Sequence, residues 1–455
     1  MRQTKLALAL LTAAVLAACG GSSPGGGDQT QKLTFTQQVS FGDSLSDVGT
    51  YAVGGVKAAG GGKFTINGDG TAKSPDLNGK IWVDYLAAEL KLPAPCAAQT
   101  GLIGDAALGF SVPIVQNLTC FNYAQGGSRV TNPVGPGNPF TNSPIGQTTL
   151  PLVTQVANHL GRTGNKFSGT ELVTLLSGGN DVLMQLNSLS SGATAAGTAA
   201  GGQTFATSLT MQLAAGATNP QAAAQAIGTA IARENARPGK TDQSVVGAAV
   251  MAAATQPGNA AVGQVSVYGP MVAKAQADAT AAGTKAGNDY AAANGPKLVA
   301  ELGAAGAQMA ALVKNEIVAK GAKYVVVANL PDVASTPASK SQSADIQALT
   351  AAMVNAFNTQ LKNGLGSDER ILYVDLYTIS NDQVKNPAPY GLTNTSTPAC
   401  GRNVLGTTSL ACTNANTVAG DVSHYMFADD IHPTPFENNL IARFVLKEMA
   451  VKGWL

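Results

Sequence analysis

Short β-branched or aromatic runs recur along the chain, separated by segments whose apolar residues fall three and four apart. "LTFTQQVSF" (33–41), "TCFNYA" (119–124), "ELVTLLSG" (171–178), "AKYVVVANL" (322–330) and "RILYVDLY" (370–377) are the strand candidates. "YVVVANL" is apolar without alternation, as expected of a strand covered on both faces of a parallel sheet. "IWVDYLAAELKL" (81–92), "LPLVTQVANHLG" (150–161) and "DIQALTAAMVNAFNTQLKNGL" (345–365) carry the period of amphipathic helices. Strands alternating with helices predict an α/β fold with a central parallel sheet of about five strands.

One region departs from this rhythm. Residues 186–303 are dominated by Ala, Gly, Thr and Gln, and "GQVSVYG" (263–269) is their main strand signal. "NPQAAAQAIGTAIARENA" (219–236) starts with a capping Asn219 and a Pro at the first helical position, the signature of a helix start. The stretch reads as a helical insertion between two parts of one sheet domain, residues 33–185 and 304–455. A disordered low-complexity linker is the alternative.

The N-terminus changes the picture. Arg2 and Lys5 precede "LALALLTAAVLAAC", too short and wrongly flanked for a membrane span, so residues 1–18 read as a signal peptide. "LAAC" followed by Gly20 resembles a bacterial lipobox, which implies cleavage before Cys19 and lipid on its sulfur and new amino group. "GGSSPGGGDQTQ" then reads as a flexible tether over 19–32. The expected location is a bacterial cell envelope, the outer membrane or periplasm, with the membrane as partner through Cys19. Cys96, Cys120, Cys400 and Cys412 remain, an even number in an exported chain, and proximity favours the disulfides Cys96–Cys120 and Cys400–Cys412. The net charge of +1 offers no field to collect phosphates, which argues against nucleic acid.

Chemistry concentrates at the chain's two ends. "VSFGDSLSDVGTY" (39–51) leaves a strand through Gly42 and Asp43 and presents Ser44. A serine hydroxyl needs a base before it can attack, and the chain has only three histidines. His159 lies in a helical pattern, as a surface or packing residue, and His424 has only nearby acids to distinguish it. His432, in "FADDIHPTPFENN", has Asp429 three residues before it and Pro433 after it. In a turn, a carboxylate at that spacing can reach back to Nδ1, fix the tautomer and leave Nε2 free to take a proton. Asp430 competes from two residues away but is less naturally directed at the ring. "NYAQGGSRV" (122–130) and "SGGND" (177–181) follow strands, and their glycines and Asn180 can supply donors, although both also make good turns.

"FGDSLSD", "NYAQGGS", "GGND" and "DDIHPT", in that order, resemble the four sequence blocks of the GDSL esterases, or SGNH hydrolases. "NGKIWVDYLA", "GAKYVVVANLPDVASTP" and "NPAPYGLTN" extend the likeness to roughly residues 33–182 and 320–450. The resemblance implies a flavodoxin-like three-layer α/β/α sandwich and a serine carboxylesterase or lipase that works through an acyl-enzyme and needs no cofactor. By position, Ser44 would be nucleophile, His432 general base and then acid, and Asp429 its orienting partner. The oxyanion hole would combine the Ser44 and Gly127 backbone N–H groups with the Asn180 side-chain amide. The implied substrates are carboxylic esters, with phospholipid, lysophospholipid or O-acetylated glycan as narrower choices. A non-catalytic surface-binding module is the contrasting class.

Overall fold

Four parallel strands form the central sheet of the computed structural model, which describes residues 33–68 and 79–455. In chain order the elements that position the site are β1 (Gln38–Gly42), α1 (Trp82–Glu89), β2 (Gln99–Ile103), β3 (Ser111–Gln116), α2 (Leu152–Arg162) and β4 (Leu172–Leu176). Then follow α3 (Gly179–Ala214), α4 (Pro220–Asn235), α5 (Asp242–Ala254), α6 (Val265–Leu312), β5 (Tyr324–Ala328) and α7 (Ala344–Leu365). β6 (Ile371–Val374), α8 (Leu376–Lys385) and α9 (Pro435–Val451) complete the series. The sheet order is β1-β4-β5-β6, with Phe41 opposite Leu175, Leu175 opposite Val327 and Val327 opposite Tyr373.

Successive strand residues point to opposite faces, and both faces are apolar here. Val39, Phe41, Val173, Leu175, Val325 and Val327 form one core with α2, α3, α6 and α7. Leu172, Leu176, Val326, Ala328, Leu372 and Val374 form another with α1 and α9. This explains why these strands lack alternation in the sequence.

The fifth expected strand, 119–124, is reduced to two parallel bridges of Asn122, one with Ser40 and one with Ala97. Ser40 N–H donates to Phe121 O, Tyr123 N–H to Ser40 O, and Gln125 N–H to Gly42 O. The bond that would continue the ladder is missing, because the Gly42 N–H donates to the Gln155 side chain on α2 at 2.8 Å. The antiparallel pair β2–β3 lies apart from the main sheet. Its sequence signal is weak because Gly101 and Pro113 interrupt the two runs.

The 186–303 stretch folds into α3, α4, α5 and α6 with short connections. Asn219 caps α4 by accepting from Ala222 N–H, and Pro220 opens the helix. "GQVSVYG" forms the start of α6 rather than a strand; β-branching is a weak local preference that helix packing overrides. α3 and α6, 36 and 48 residues long, lie side by side. Gly197 and Gly283 approach so closely that a Cβ on either would lie within 3 Å of the other's carbonyl oxygen. Leu209, Leu213, Ile227, Ile231 and Val250 form a separate small core here. The stretch therefore has packing of its own, which a disordered linker lacks.

Both disulfides, Cys96–Cys120 and Cys400–Cys412, are present. Among the described residues no helix is long and apolar enough to cross a membrane. The signal peptide, Cys19 and the tether lie outside the described residues.

Candidate active site

The strand-to-turn exit at Gly42 brings Ser44 to the carboxyl end of β1. Gly42 has φ +153°, and a Cβ there would lie 2.2 Å from Leu176 O on β4, so only glycine fits so close an approach. Gln155 clamps this exit from both sides, accepting from Gly42 N–H and donating to Gly42 O, each at 2.8 Å. Ser44 is thereby held, buried, above the sheet.

His432 approaches from the other end of the chain. Its Nε2 lies 2.8 Å from Ser44 Oγ, and its Nδ1 lies 2.9 and 2.8 Å from the two carboxylate oxygens of Asp429. Asp429 also receives the N–H groups of Ile431 and His432 on Oδ1 and of Ser409 on Oδ2. These fix the carboxylate before it meets the ring. Ser409 lies in the loop that Cys400–Cys412 closes, and Cys400 N–H pairs with Ala428 O. Phe64 packs on the imidazole, with ring centroids 4.9 Å apart. Asp430, the competing acid, is exposed and makes no hydrogen bond to the ring.

Burial works against charge on both partners, and their mutual attraction prevails. Burial alone would raise Asp429, yet His432 and the converging N–H groups hold its carboxyl well below the usual carboxylate range. Burial alone would lower His432, yet Asp429, with a smaller contribution from Asp43, raises it above 6.5. Asp43 itself is pushed up to about 7 by burial, against a hydrogen bond from Leu45 N–H.

The residues expected to supply donors border the same cavity. Gly127 has φ +80°, and a Cβ there would lie 2.1 Å from Pro136 O. The neighbouring Gly126 N–H is engaged by Asp47 at 2.9 Å. Among the described residues, no acceptor takes the N–H of Ser44 or of Gly127. Asn180 sits in the first turn of α3 and donates one amide hydrogen to Ser128 O at 2.9 Å, leaving the other. Ser44, Gly127, Asn180 and His432 all line one cavity of about 270 Å³. Leu330 after β5 and Leu376 after β6 line it too, so the cavity spans the carboxyl ends of all four strands. Leu45, Ile379, Val384 and Ile441 make its walls largely apolar.

The other histidines lie elsewhere. His159 is a packing residue, buried among Phe41, Phe121 and Phe167, and burial lowers its pKa to about 4. His424 stacks on Phe436 and meets Gly391 O through Nδ1. The supporting residues Gln155 and Ser409 escaped the sequence reading, since a helix-face Gln and a loop Ser carry no local signal, and Asp47 lay without a role inside "FGDSLSD". Asp181 was closer to hand, inside "GGND"; it pairs with Arg129 Nε at 2.9 Å and accepts from Val130 N–H, tying the two donor loops together.

A model of the GDSL-like lipase/acylhydrolase family matches residues 208–445, just over half the chain. That span holds Asp429 and His432 and leaves Ser44, Gly127 and Asn180 outside it. A GDSL esterase/lipase of Arabidopsis thaliana is 35% identical over 80 residues, 18% of this chain and 22% of that protein. The anther-specific proline-rich protein APG of the same plant is 28% identical over 136 residues, 28% of this chain and 25% of the relative. A second Arabidopsis GDSL esterase/lipase, APG, is 27% identical over 139 residues, 28% and 39% of the two. The chain thus spans between a fifth and two fifths of the length of these curated relatives. With the family model covering more than half of its length, the chain belongs to the GDSL-like lipase/acylhydrolase family.

Proposed function

We propose that this chain is a serine esterase that hydrolyses carboxylic esters through an acyl-enzyme. The observation that carries the reading is the hydrogen-bonded run Ser44 Oγ–His432 Nε2–His432 Nδ1–Asp429, beside two backbone N–H groups that no described residue accepts. Ser44 Oγ attacks the ester carbonyl while His432 Nε2 takes its proton. The new oxyanion is held by the N–H groups of Ser44 and Gly127 and by Asn180 Nδ2. Collapse expels the alcohol, protonated by His432, and leaves the acyl group on Ser44. Water, deprotonated by His432, then attacks the acyl-enzyme and releases the acid. Asp429 holds the ring tautomer and balances the transient imidazolium.

The apolar walls suit an aliphatic chain on the ester. Residues 33–185 and 304–455 make one catalytic unit, read as a flavodoxin-like sandwich, and 186–303 is carried on it. We propose beside this function that Cys19 anchors the enzyme in a bacterial envelope, near lipid esters. Cys19→Ser should move the protein from the membrane to the soluble fraction of cells. Fluorophosphonate labelling followed by peptide mapping tests the esterase itself. The label should map to Ser44, with a burst of product from p-nitrophenyl esters; labelling of another serine, or no burst and no turnover, would reject the reading. Phospholipid, lysophospholipid and O-acetylated glycan tried in parallel would narrow the substrate.

Asn180→Ala should lower kcat by about 10²–10³ with a smaller change in KM, because its amide acts on charge that appears only in the transition state. The pH profile follows from the site's charges. His432 must be neutral to act as base, and its pKa is raised by Asp429, so the acid limb of kcat/KM should lie above 6.5. Asp43 titrates in the same window. A downward displacement of the limb in Asp429→Asn would assign it to His432, and an unmoved limb would assign it elsewhere.

A further inference from the structure

Glu437 lies in the first turn of α9, three residues after the capping Thr434, where a carboxylate ordinarily reaches back to the N-cap N–H. Here only half of that arrangement forms. Thr434 Oγ1 accepts from Glu437 N–H, but the Thr434 N–H donates to Met426 O. Released from capping, the Glu437 side chain meets Gln383 of α8, whose Nε2 lies 3.1 Å from Glu437 Oε2. Both residues are buried, and both line the cavity that Ser44 opens into.

This pair is unfinished. Gln383 Oε1 is buried with no hydrogen-bond partner among the described residues. Turning the amide over would leave its nitrogen in that position instead, so either orientation leaves a buried polar atom unmet. A buried unmet amide is costly in a folded protein, and structural packing alone does not explain a glutamate and a glutamine on an apolar wall. Burial also pushes the Glu437 carboxyl up to about 8, although a first-turn position favours the ionised form. At neutral pH the carboxyl therefore keeps its proton and can donate it.

We propose that Glu437 and Gln383 form a subsite that recognises a hydroxyl group on the aliphatic chain of the ester substrate. The inference rests on the esterase reading and narrows its substrate class. A hydroxyl can accept from the Glu437 carboxyl and, with a turn of the buried Gln383 amide towards the cavity, donate to Gln383 Oε1. A carboxylate in that position would share the cavity with Asp43 and Asp332. Leu376, Ile379 and Ile441 around the pair would hold the methylene groups that flank the hydroxyl.

The chain could belong to the acyl or the alcohol side of the ester, and the test has an arm for each. One compares p-nitrophenyl octanoate with its hydroxyoctanoate isomers; the other compares hexyl octanoate with the octanoate monoester of hexanediol. Wild-type enzyme should favour the hydroxylated member of at least one pair by about tenfold or more in kcat/KM. Glu437→Leu and, independently, Gln383→Leu should bring that ratio close to one. Glu437→Gln, neutral and of the same shape, should retain most of it. A wild-type ratio near one in both arms overturns the subsite and leaves the esterase standing, as does a ratio unmoved by whichever leucine variant folds. Hydrolysis of neither pair, with Ser44 unlabelled by fluorophosphonate, overturns both readings.

Discussion

Replacing Ser44 by alanine is expected to lower kcat on a p-nitrophenyl ester by about four to six orders of magnitude. The hydroxyl has a base at 2.8 Å and, among the described residues, two N–H groups without an acceptor nearby. The fold should survive the change. Among the described residues Ser44 Oγ makes one hydrogen bond, to His432, and the turn around it is held by the Gln155 clamp and by Ser46 N–H donating to Asp43 O. Thermal unfolding should therefore move by no more than about 1 kcal/mol. His432→Ala should cost nearly as much activity, and the double variant little more than either alone, because groups that act as a unit are not additive. Steady-state kinetics of the three variants, with melting curves as the control for folding, measure this. Hydrolysis near the wild-type rate in purified Ser44→Ala would remove the proposed mechanism outright.

The parts of the site legible in the sequence were those with a local cause. Gly42, Asp43 and Ser44 form a strand exit that reads as one, and Asp429 lies at a spacing that turn geometry can use. The family likeness supplied Gly127, and among the two neighbouring glycines it is the Gly126 N–H that Asp47 accepts. What stayed hidden depended on contacts distant in sequence. Gln155 both clamps Gly42 and takes the bond that would have made 119–124 a full strand, across 113 residues. Ser409 reaches Asp429 through a loop whose shape owes much to a disulfide. The sheet strands were legible because burial on both faces leaves continuous apolar runs; β2–β3, interrupted by Gly101 and Pro113, was not. Glu437 occupies a first-turn position that suits a capping acid, and only the diversion of the Thr434 N–H to Met426 shows it turned elsewhere.

Asp429→Asn separates orientation of the imidazole from its mere presence, and its expected cost is about 10⁴ in kcat. The carboxylate accepts from His432 Nδ1 and from three backbone N–H groups, and it has no donor of its own. An asparagine can present only one oxygen. If that oxygen stays with Ile431 and His432 N–H, the amide NH₂ confronts Ser409 N–H, donor against donor. If the amide turns over, its NH₂ faces Nδ1 and favours the tautomer with the proton on Nε2, which cannot take one from Ser44. Either choice also leaves an N–H unmet, at about 1–3 kcal/mol of stability. Linkage gives the pH window of that loss. Asp429 is depressed below its usual 3.8, so its contribution is present above that value and fades as pH falls through the folded pKa. His432 is raised above 6.5, so its contribution is complete below that value and fades as pH rises through the folded pKa. The charged pair therefore stabilises the fold most between these limits, whereas catalysis needs the neutral imidazole above them. The asparagine variant should thus lose most stability in mildly acidic solution and most activity at higher pH, and the NMR-observed pKa of His432 should fall. A variant with wild-type turnover and an unmoved His432 titration would show that Asp429 neither orients nor charges the ring.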